Sequence, residues 1–131
     1  MIGYATVGST NFEASKTFFD ATLGALGATR THDYGDWIAY GDPAIKDDPQ
    51  AQTLWLTKTP FDKQPATVGN GSMVGLMAKS IAQVDAFHAA ALANGGTCEG
   101  APGNREAYGP GFYVAYVRDP MGNKFSCVHR S

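Results

Sequence analysis

The stretch YVRDPMGNKFSCV, residues 116–128, contains a strand, a sharp turn and a second strand. Asp-Pro and Gly-Asn are turn-forming pairs, and the flanking residues are rich in β-branched and aromatic side chains. The polar residue that faces inward just after this turn is Ser126. The segment therefore predicts a hairpin near the end of the chain with a hydroxyl on its inner side.

The first half of the chain predicts a strand, a helix and three short strands. Residues Ile2–Gly8 alternate in the manner of a strand with two unlike faces. Asn11 stands at a helix N-cap position, and Gly24 and Gly27 mark the end of that helix. The three strands that follow are predicted at Ala28–His32, Trp37–Tyr40 and Thr53–Thr57.

The second half repeats this pattern. Met73–Ala78 predicts a strand, and Ser80 with Gln83 forms a capping box before the second helix. The helices align at a constant offset of 69 residues, which pairs Asn11 with Ser80, Phe18 with Phe87, Leu23 with Leu92 and Gly27 with Gly96. The segment Trp37–Tyr40 likewise resembles Tyr113–Tyr116, and Asp-Pro follows both.

These elements predict an α+β fold of two βαβββ modules in tandem. We expect a curved mixed sheet that forms a cleft, with the helices on its outer face. The domain would span residues 1–131, with module one at about 1–62 and module two at about 63–131. A ferredoxin-like βαββ domain gives similar element counts, but it does not explain why Tyr4 and Met73 share the offset of the helices.

Composition limits the classes of partner. The 131 residues are 44% hydrophobic, with a formal net charge of −2 and a pI near 5.8. No basic run is present, which disfavours nucleic acid or an anionic membrane as partner. No segment reads as a signal peptide or membrane span, so a cytoplasmic location is expected.

The cysteines and histidines do not form a recognisable site. Cys98 and Cys127 have no CxxC spacing and are expected to be reduced thiols. His32 is expected at the surface and His88 on or beside the helix stripe. His129 lies an odd number of residues from Ser126 and so should face the other side of the strand.

The motif RDPMGNKF, residues 118–125, and the matched helix ends FFDATLGALG and FHAAALANGG resemble the vicinal oxygen chelate superfamily. This superfamily includes glyoxalase I, bleomycin-resistance proteins and extradiol dioxygenases. The resemblance spans Ile2 to His129. It implies paired βαβββ modules, a homodimer and, in many members, a divalent metal that polarises the oxygens of the substrate.

The resemblance also implies where metal ligands would fall. They would be Tyr4, Met73 and Ser126, with a fourth at Leu54 or Leu56, between which the register stays open. None of these side chains is a good ligand for a hard or borderline cation. We therefore expect that the usual metal site is lost and that no metal cofactor is bound.

What remains is an aromatic cleft. The predicted cleft residues are Tyr4, Trp37, Tyr40, Trp55, Met73, Tyr108, Phe112, Tyr116 and Ser126. The loop EAYGPGFY, residues 106–113, would form its rim, to which Arg105 and Glu106 would bring charge.

The leading hypothesis is a homodimeric, cytoplasmic protein that binds a small organic molecule in this cleft. Whether it catalyses a reaction stays open. One alternative is a metal-dependent lyase or dioxygenase of the same superfamily with non-standard ligands, which would need a divalent metal. Another is a metal-free enzyme in which Tyr4 or Tyr116 acts as a general acid.

Overall fold

The computed structural model describes residues 1–131 as two modules of the same architecture. Module one consists of β1 (Tyr4–Gly8), α1 (Phe12–Gly24), β2 (Thr29–Asp33), β3 (Trp37–Gly41) and β4 (Thr53–Thr57). Module two consists of β5 (Val74–Met77), α2 (Ile81–Ala93), β6 (Thr97–Asn104), β7 (Phe112–Arg118) and β8 (Lys124–Arg130). Short 3₁₀ turns lie at Pro43–Ile45 and Glu106–Tyr108.

Each module forms its own four-stranded mixed sheet. The strand orders are β1-β4-β3-β2 and β5-β8-β7-β6. In both sheets the first strand pairs with the last strand in parallel, and the remaining pairs are antiparallel. The prediction of an α+β fold with tandem βαβββ modules is confirmed.

The helix starts follow the capping residues found in the sequence. The Asn11 side chain accepts a hydrogen bond from the Ala14 amide at 3.2 Å, and the Ser80 hydroxyl accepts one from the Gln83 amide at 3.1 Å. The Gln83 side chain accepts from the Lys79 amide at 2.8 Å, one residue earlier than a standard capping box. The two N-caps are the paired positions that the repeat predicts.

The turn at the end of β7 is built around a buried carboxylate. Asp119 accepts hydrogen bonds from the Met121 and Asn123 amides and from the Asn123 side chain, at 2.8 to 2.9 Å. Gly122 has φ +92°, which other residues adopt at a cost. Asn123 also donates to the Gly8 carbonyl at 3.3 Å, so the turn joins module two to β1 of module one.

One core joins both modules, and the helices lie between the two sheets. The ring of Phe19 on α1 lies 6.0 Å from Tyr40 on β3 and 5.4 Å from Phe125 on β8, measured between centroids. These two strands belong to different sheets, and both residues are in the same buried cluster. Each sheet therefore turns its helix-covered face inward, and the two faces without helices point away from each other.

Two further expectations have an outcome here. Cys98 and Cys127 are both free, as predicted. No helix combines the length and the apolar character that crossing a membrane requires.

Candidate functional site

The helix-free face of module one is set by the alternation of its strands. Cross-strand pairing places Thr6 beside Trp55 and Trp55 beside Ala39, so these three residues share a face. Tyr4, Trp37 and Thr53 lie on the same face by alternation. We call this surface the helix-free face of module one.

Four aromatic rings gather on this face around Trp55. His32 and Tyr34 stack on Trp55 with centroids 6.1 Å away and planes inclined by 25° and 12°. Trp37 meets the same indole edge to face at 6.3 Å. We call these four residues the aromatic cluster. Because Tyr34 is 70% exposed and Trp37 is 37% exposed, the cluster presents flat apolar surface to solvent.

The helix-free face of module two has a different character. Tyr116 pairs with Ser126, and the neighbouring pair on this face is Arg118 with Lys124. The Lys124 ammonium lies 5.6 Å from the centroid of Tyr116, and the Arg105 guanidinium lies 5.9 Å from it. At the other end of the face Arg130 lies over Phe112 at 5.2 Å, with Tyr108 against the same ring. This face combines aromatic rings with positive charge.

Ser126 lies at the floor of this face. It is 4% exposed, and no side-chain hydrogen bond of the chain involves its hydroxyl. No unpartnered side-chain oxygen or nitrogen is sealed from solvent, so this hydroxyl is reachable. Its neighbour Gly75 keeps the space open, because a Cβ at that position would lie 3.2 Å from the hydroxyl oxygen.

The positions that would hold a metal carry unsuitable side chains. The Ser9 amide bonds to Thr57 and the Ala78 amide bonds to Val128, which makes these two strand positions equivalent. Trp55 lies two residues before Thr57, and Ser126 lies two residues before Val128, so Trp55 and Ser126 are equivalent positions. The fourth ligand position is therefore Trp55. The prediction of Leu54 or Leu56 is wrong, because both face the helix and are buried.

The donor set does not fit a divalent cation. The four positions carry phenol, indole, thioether and hydroxyl groups at Tyr4, Trp55, Met73 and Ser126. None supplies a carboxylate or an imidazole. Nowhere in the chain do three or more His, Cys, Asp or Glu side chains group closely enough to hold a metal ion.

The prediction that Tyr40 faces the cleft is wrong. Tyr40 pairs with Leu54 and Arg30 on the helix-covered face, and its hydroxyl donates to Asp20 on α1 at 2.8 Å. The similarity of Trp37–Tyr40 to Tyr113–Tyr116 is offset by one residue from the true equivalence, in which Ala39 matches Tyr116. A shift of one residue moves a side chain to the opposite face of a strand.

The other eight predicted cleft residues are divided between the two faces. Tyr4, Trp37 and Trp55 lie on module one. Phe112, Tyr116 and Ser126 lie on module two, with Tyr108 packed against Phe112, and Met73 precedes β5 in phase with Gly75. One chain does not bring the two sets together, because its helix-free faces point in opposite directions.

Four residues of these faces were missed by the sequence analysis or given another place. His32 was expected to be a solvated surface residue and Tyr34 was not considered, yet both stack on Trp55. Lys124 precedes Ser126 by two residues, so strand alternation was a usable signal for it. Arg105 was placed on the rim with Glu106, but it folds over Tyr116 instead.

The remaining histidines lie away from the helix-free faces: His129 is on the helix-covered face of β8, and His88 is on α2. His129 pairs with Tyr113, opposite in direction to Ser126 as predicted, and contacts the Ala78 carbonyl at 3.2 Å. His88 contacts the Cys98 sulfur at 3.2 Å. Burial lowers the pKa of His88, an effect that the nearby Asp85 carboxylate opposes.

A groove of about 330 Å³ lies between the free edges of β1 and β5. Ala5, Tyr40, Val74 and Leu76 contribute to its lining. Both strands are sheet edges, and their helix-side residues Ala5, Val74 and Leu76 remain half-buried. The two edges and the groove form one continuous, largely apolar surface.

Comparison with known proteins agrees with this architecture. The sequence model of the glyoxalase/bleomycin resistance protein/dioxygenase superfamily matches residues 1–126, and the chain belongs to this superfamily. A crystal structure of a glyoxalase/bleomycin resistance protein from Albidiferax ferrireducens T118 is 44% identical, with a TM-score of 0.84, covering 100% of this chain and 99% of that one.

More distant structures share the fold. A glyoxalase-related enzyme from Fulvimarina pelagi is 17% identical (TM-score 0.73), covering 98% of this chain and 87% of that one. A lactoylglutathione lyase from Agrobacterium tumefaciens is 18% identical (TM-score 0.61), covering 98% and 92%. No curated protein matches the chain.

Proposed function

We propose that this protein binds a small organic molecule and does so without the metal ion that many members of its superfamily use. The observation that carries the proposal is the position of Trp55. It stands where the metal-dependent pattern needs a ligand, and it is the centre of the aromatic cluster. A flat ligand stacked on these rings removes apolar surface from water.

The binding site is proposed to form between two copies of the chain. In one chain the aromatic cluster and Ser126 lie on faces that point apart, so neither face has an opposite wall. If β1 of one copy adjoins β5 of another, module one of the first copy and module two of the second share one cleft. The unpaired edges of β1 and β5 support this arrangement, because exposed edges with apolar neighbours favour association.

The metal-dependent alternative finds no support in the side chains. A lyase or dioxygenase of this type needs several nitrogen or carboxylate donors within reach of one ion. The four equivalent positions supply none, and no other cluster of such donors replaces them.

A fluorescence titration tests the proposed binding. Trp37 and Trp55 are the only tryptophans in the chain, so intrinsic emission reports on the aromatic cluster. We expect 4-nitrobenzamide, a flat neutral quencher, to quench chelator-treated protein saturably, and chromatography to recover it unchanged. Trp55→Leu should weaken binding about tenfold, because it removes the indole on which the ligand stacks and the apolar area that this contact buries.

Leu92→Ala is the control, because Leu92 is an exposed apolar residue on α2 and belongs to neither sheet. It should leave the affinity unchanged. Linear, unsaturable quenching of the wild-type protein would contradict the proposal. Conversion of the added compound by metal-free protein would show that the protein is a metal-free enzyme and not only a binding protein.

A further inference from the structure

We infer that the natural ligand is an aromatic acid whose ring lies on the aromatic cluster and whose carboxylate lies against Arg105 and Lys124. This inference rests on the proposed function and adds the charge of the ligand to it. Three features of the helix-free face of module two carry the inference: a surplus of positive charge, fixed positions for the cations, and a hydroxyl on the same face that has no partner in the chain.

The positive charge on this face is only partly neutralised within the chain. The ion pairs of the chain are Lys16–Glu13, Arg30–Asp20, Arg30–Asp33 and Arg118–Glu99. None of them involves Arg105, Lys124 or Arg130. Glu99 is the carboxylate held on this face; Arg118 binds it, and Lys124 also attracts it. The face therefore has a surplus of cations for an acidic ligand.

Arg105 and Lys124 are held in place rather than extended into solvent. Both are half-buried and lie over the ring of Tyr116. Arg105 donates to the Ala101 carbonyl at 2.7 Å. Gly103 makes room for it, since a Cβ there would lie 3.1 Å from a guanidinium nitrogen. Cations fixed in this way need little reorganisation to meet an anion.

Ser126 supplies a further donor at the same place. It pairs with Tyr116 across the strands and follows Lys124 by two residues on the same face. Because this hydroxyl has no partner in the chain and is not sealed from solvent, it is free to donate a hydrogen bond to a ligand atom. A carboxylate oxygen accepts both from this hydroxyl and from a neighbouring cation.

The helix-free face of module one is aromatic and lacks the cations of module two. This difference sets which end of the ligand lies on which wall of the cleft. The helix-free face of module one carries no lysine or arginine. The strand residues that line it include Tyr4, Thr6, His32, Trp37, Ala39, Thr53 and Trp55. In the proposed shared cleft, one wall is aromatic and the other is cationic. An aromatic acid matches both walls, whereas an aromatic amine would meet like charge.

Three compounds of the same shape test the inference. Calorimetric titrations at low salt would compare 4-nitrobenzoate, 4-nitrobenzamide and 4-nitrobenzylammonium. We expect 4-nitrobenzoate to bind about tenfold more tightly than 4-nitrobenzamide, because it gains one charge-assisted contact. The ammonium compound should bind most weakly. The preference should diminish as salt screens the charges.

Variants assign the preference to residues. Lys124→Met and Arg105→Gln should each reduce the affinity for 4-nitrobenzoate more than the affinity for the amide, so that the difference between the two compounds diminishes. Ser126→Ala should weaken the binding of 4-nitrobenzoate more than the binding of 4-nitrobenzamide. Lys46→Met, in the loop after β3, removes the same charge at another place and should change neither affinity. Melting temperatures confirm that each variant is folded.

Each result has one meaning. Equal binding of amide and carboxylate, tightest binding of the ammonium compound, or an equal effect of Lys46→Met would overturn the inference and leave the proposed function standing. Absence of binding by all three compounds at millimolar concentration would contradict the proposed function, and the inference with it.

Discussion

At the scale of single residues, the site depends on two substitutions at equivalent positions. Trp55 and Ser126 occupy the same place on the last strand of their modules, where the family pattern uses metal ligands. The sequence located Ser126, because the turn at Asp119 fixes its register. It did not locate Trp55, since nothing in the short segment Thr53–Thr57 fixes which residues face the helix. Packing on α1 decides this by burying Leu54 and Leu56.

The two cysteines should differ sharply in reactivity. Cys98 is exposed, whereas Cys127 is fully buried, and burial raises the pKa of its thiol to about 12. The thiolate is the reactive form, so a disulfide reagent should modify Cys98 rapidly in native protein and Cys127 only as the protein unfolds. Absorbance of the released thiol measures both phases. In Cys98→Ser the fast phase should vanish, and two equal rates in the wild-type protein would contradict the assigned burial.

At the scale of elements, the repeat predicted both helices and their caps, and the third strand lies where it was predicted, but its match to the equivalent strand of module two was off by one residue. Helix starts depend on local capping groups that a sequence displays directly, as Asn11 and Ser80 show. The face of a strand depends on a register set by its neighbours. Both Tyr40 and Tyr113 bond to an aspartate on a helix, Asp20 and Asp85, yet the aspartates are not at equivalent helix positions. The similarity of the strands was therefore a poor guide to their faces.

The bond from Tyr40 to Asp20 should stabilise the packing of α1 on its sheet. Tyr40→Phe removes a part-buried hydrogen bond to a carboxylate and should lower the free energy of unfolding by about 1 kcal/mol. Tyr113→Phe, whose bond to Asp85 is exposed, is the matched control and should cost less. Urea unfolding followed by circular dichroism gives both values. Equal losses would argue that the Tyr40 bond has no special role.

Acid should weaken this contact. Burial raises the pKa of Asp20, but hydrogen bonds from Arg30 and Tyr40 lower it more, and the net pKa lies below the ordinary value. A carboxyl group with a lowered native pKa stabilises the fold above its unfolded pKa of about 4 and loses that contribution as pH falls through the native value. The stability difference between wild type and Asp20→Asn should therefore shrink below about pH 4. A constant difference from pH 7 to pH 3 would contradict this account.

At the scale of the whole molecule, the sequence predicted two modules but not how they face each other. A tandem repeat suggests two sheets side by side around one cleft. The contacts of Phe19 with both sheets show instead that the helices lie between them. This arrangement depends on contacts between distant residues that no local pattern encodes. It is the reason that a complete cleft is proposed to need two copies of the chain.

Mixed dimers test the shared cleft. Trp55→Leu alters module one and Tyr116→Leu alters module two, so each homodimer should bind 4-nitrobenzamide weakly. In a dimer with one copy of each variant, one cleft carries both changes and the other carries neither. We expect a separately tagged, purified mixed dimer to bind with wild-type affinity at half the sites. Absence of any wild-type site would mean that each cleft belongs to a single chain.

The central claim is that a fold widely used for metal chemistry here binds an organic molecule without the ion. The most direct test is a thermal-shift titration of chelator-treated protein with nickel, zinc, manganese, iron and magnesium, together with elemental analysis of the protein as purified. A functional metal site must raise the melting temperature by mass action. We predict no stoichiometric metal and no shift with any of the five ions. A stoichiometric metal with a clear shift would contradict the claim and point to a metalloenzyme.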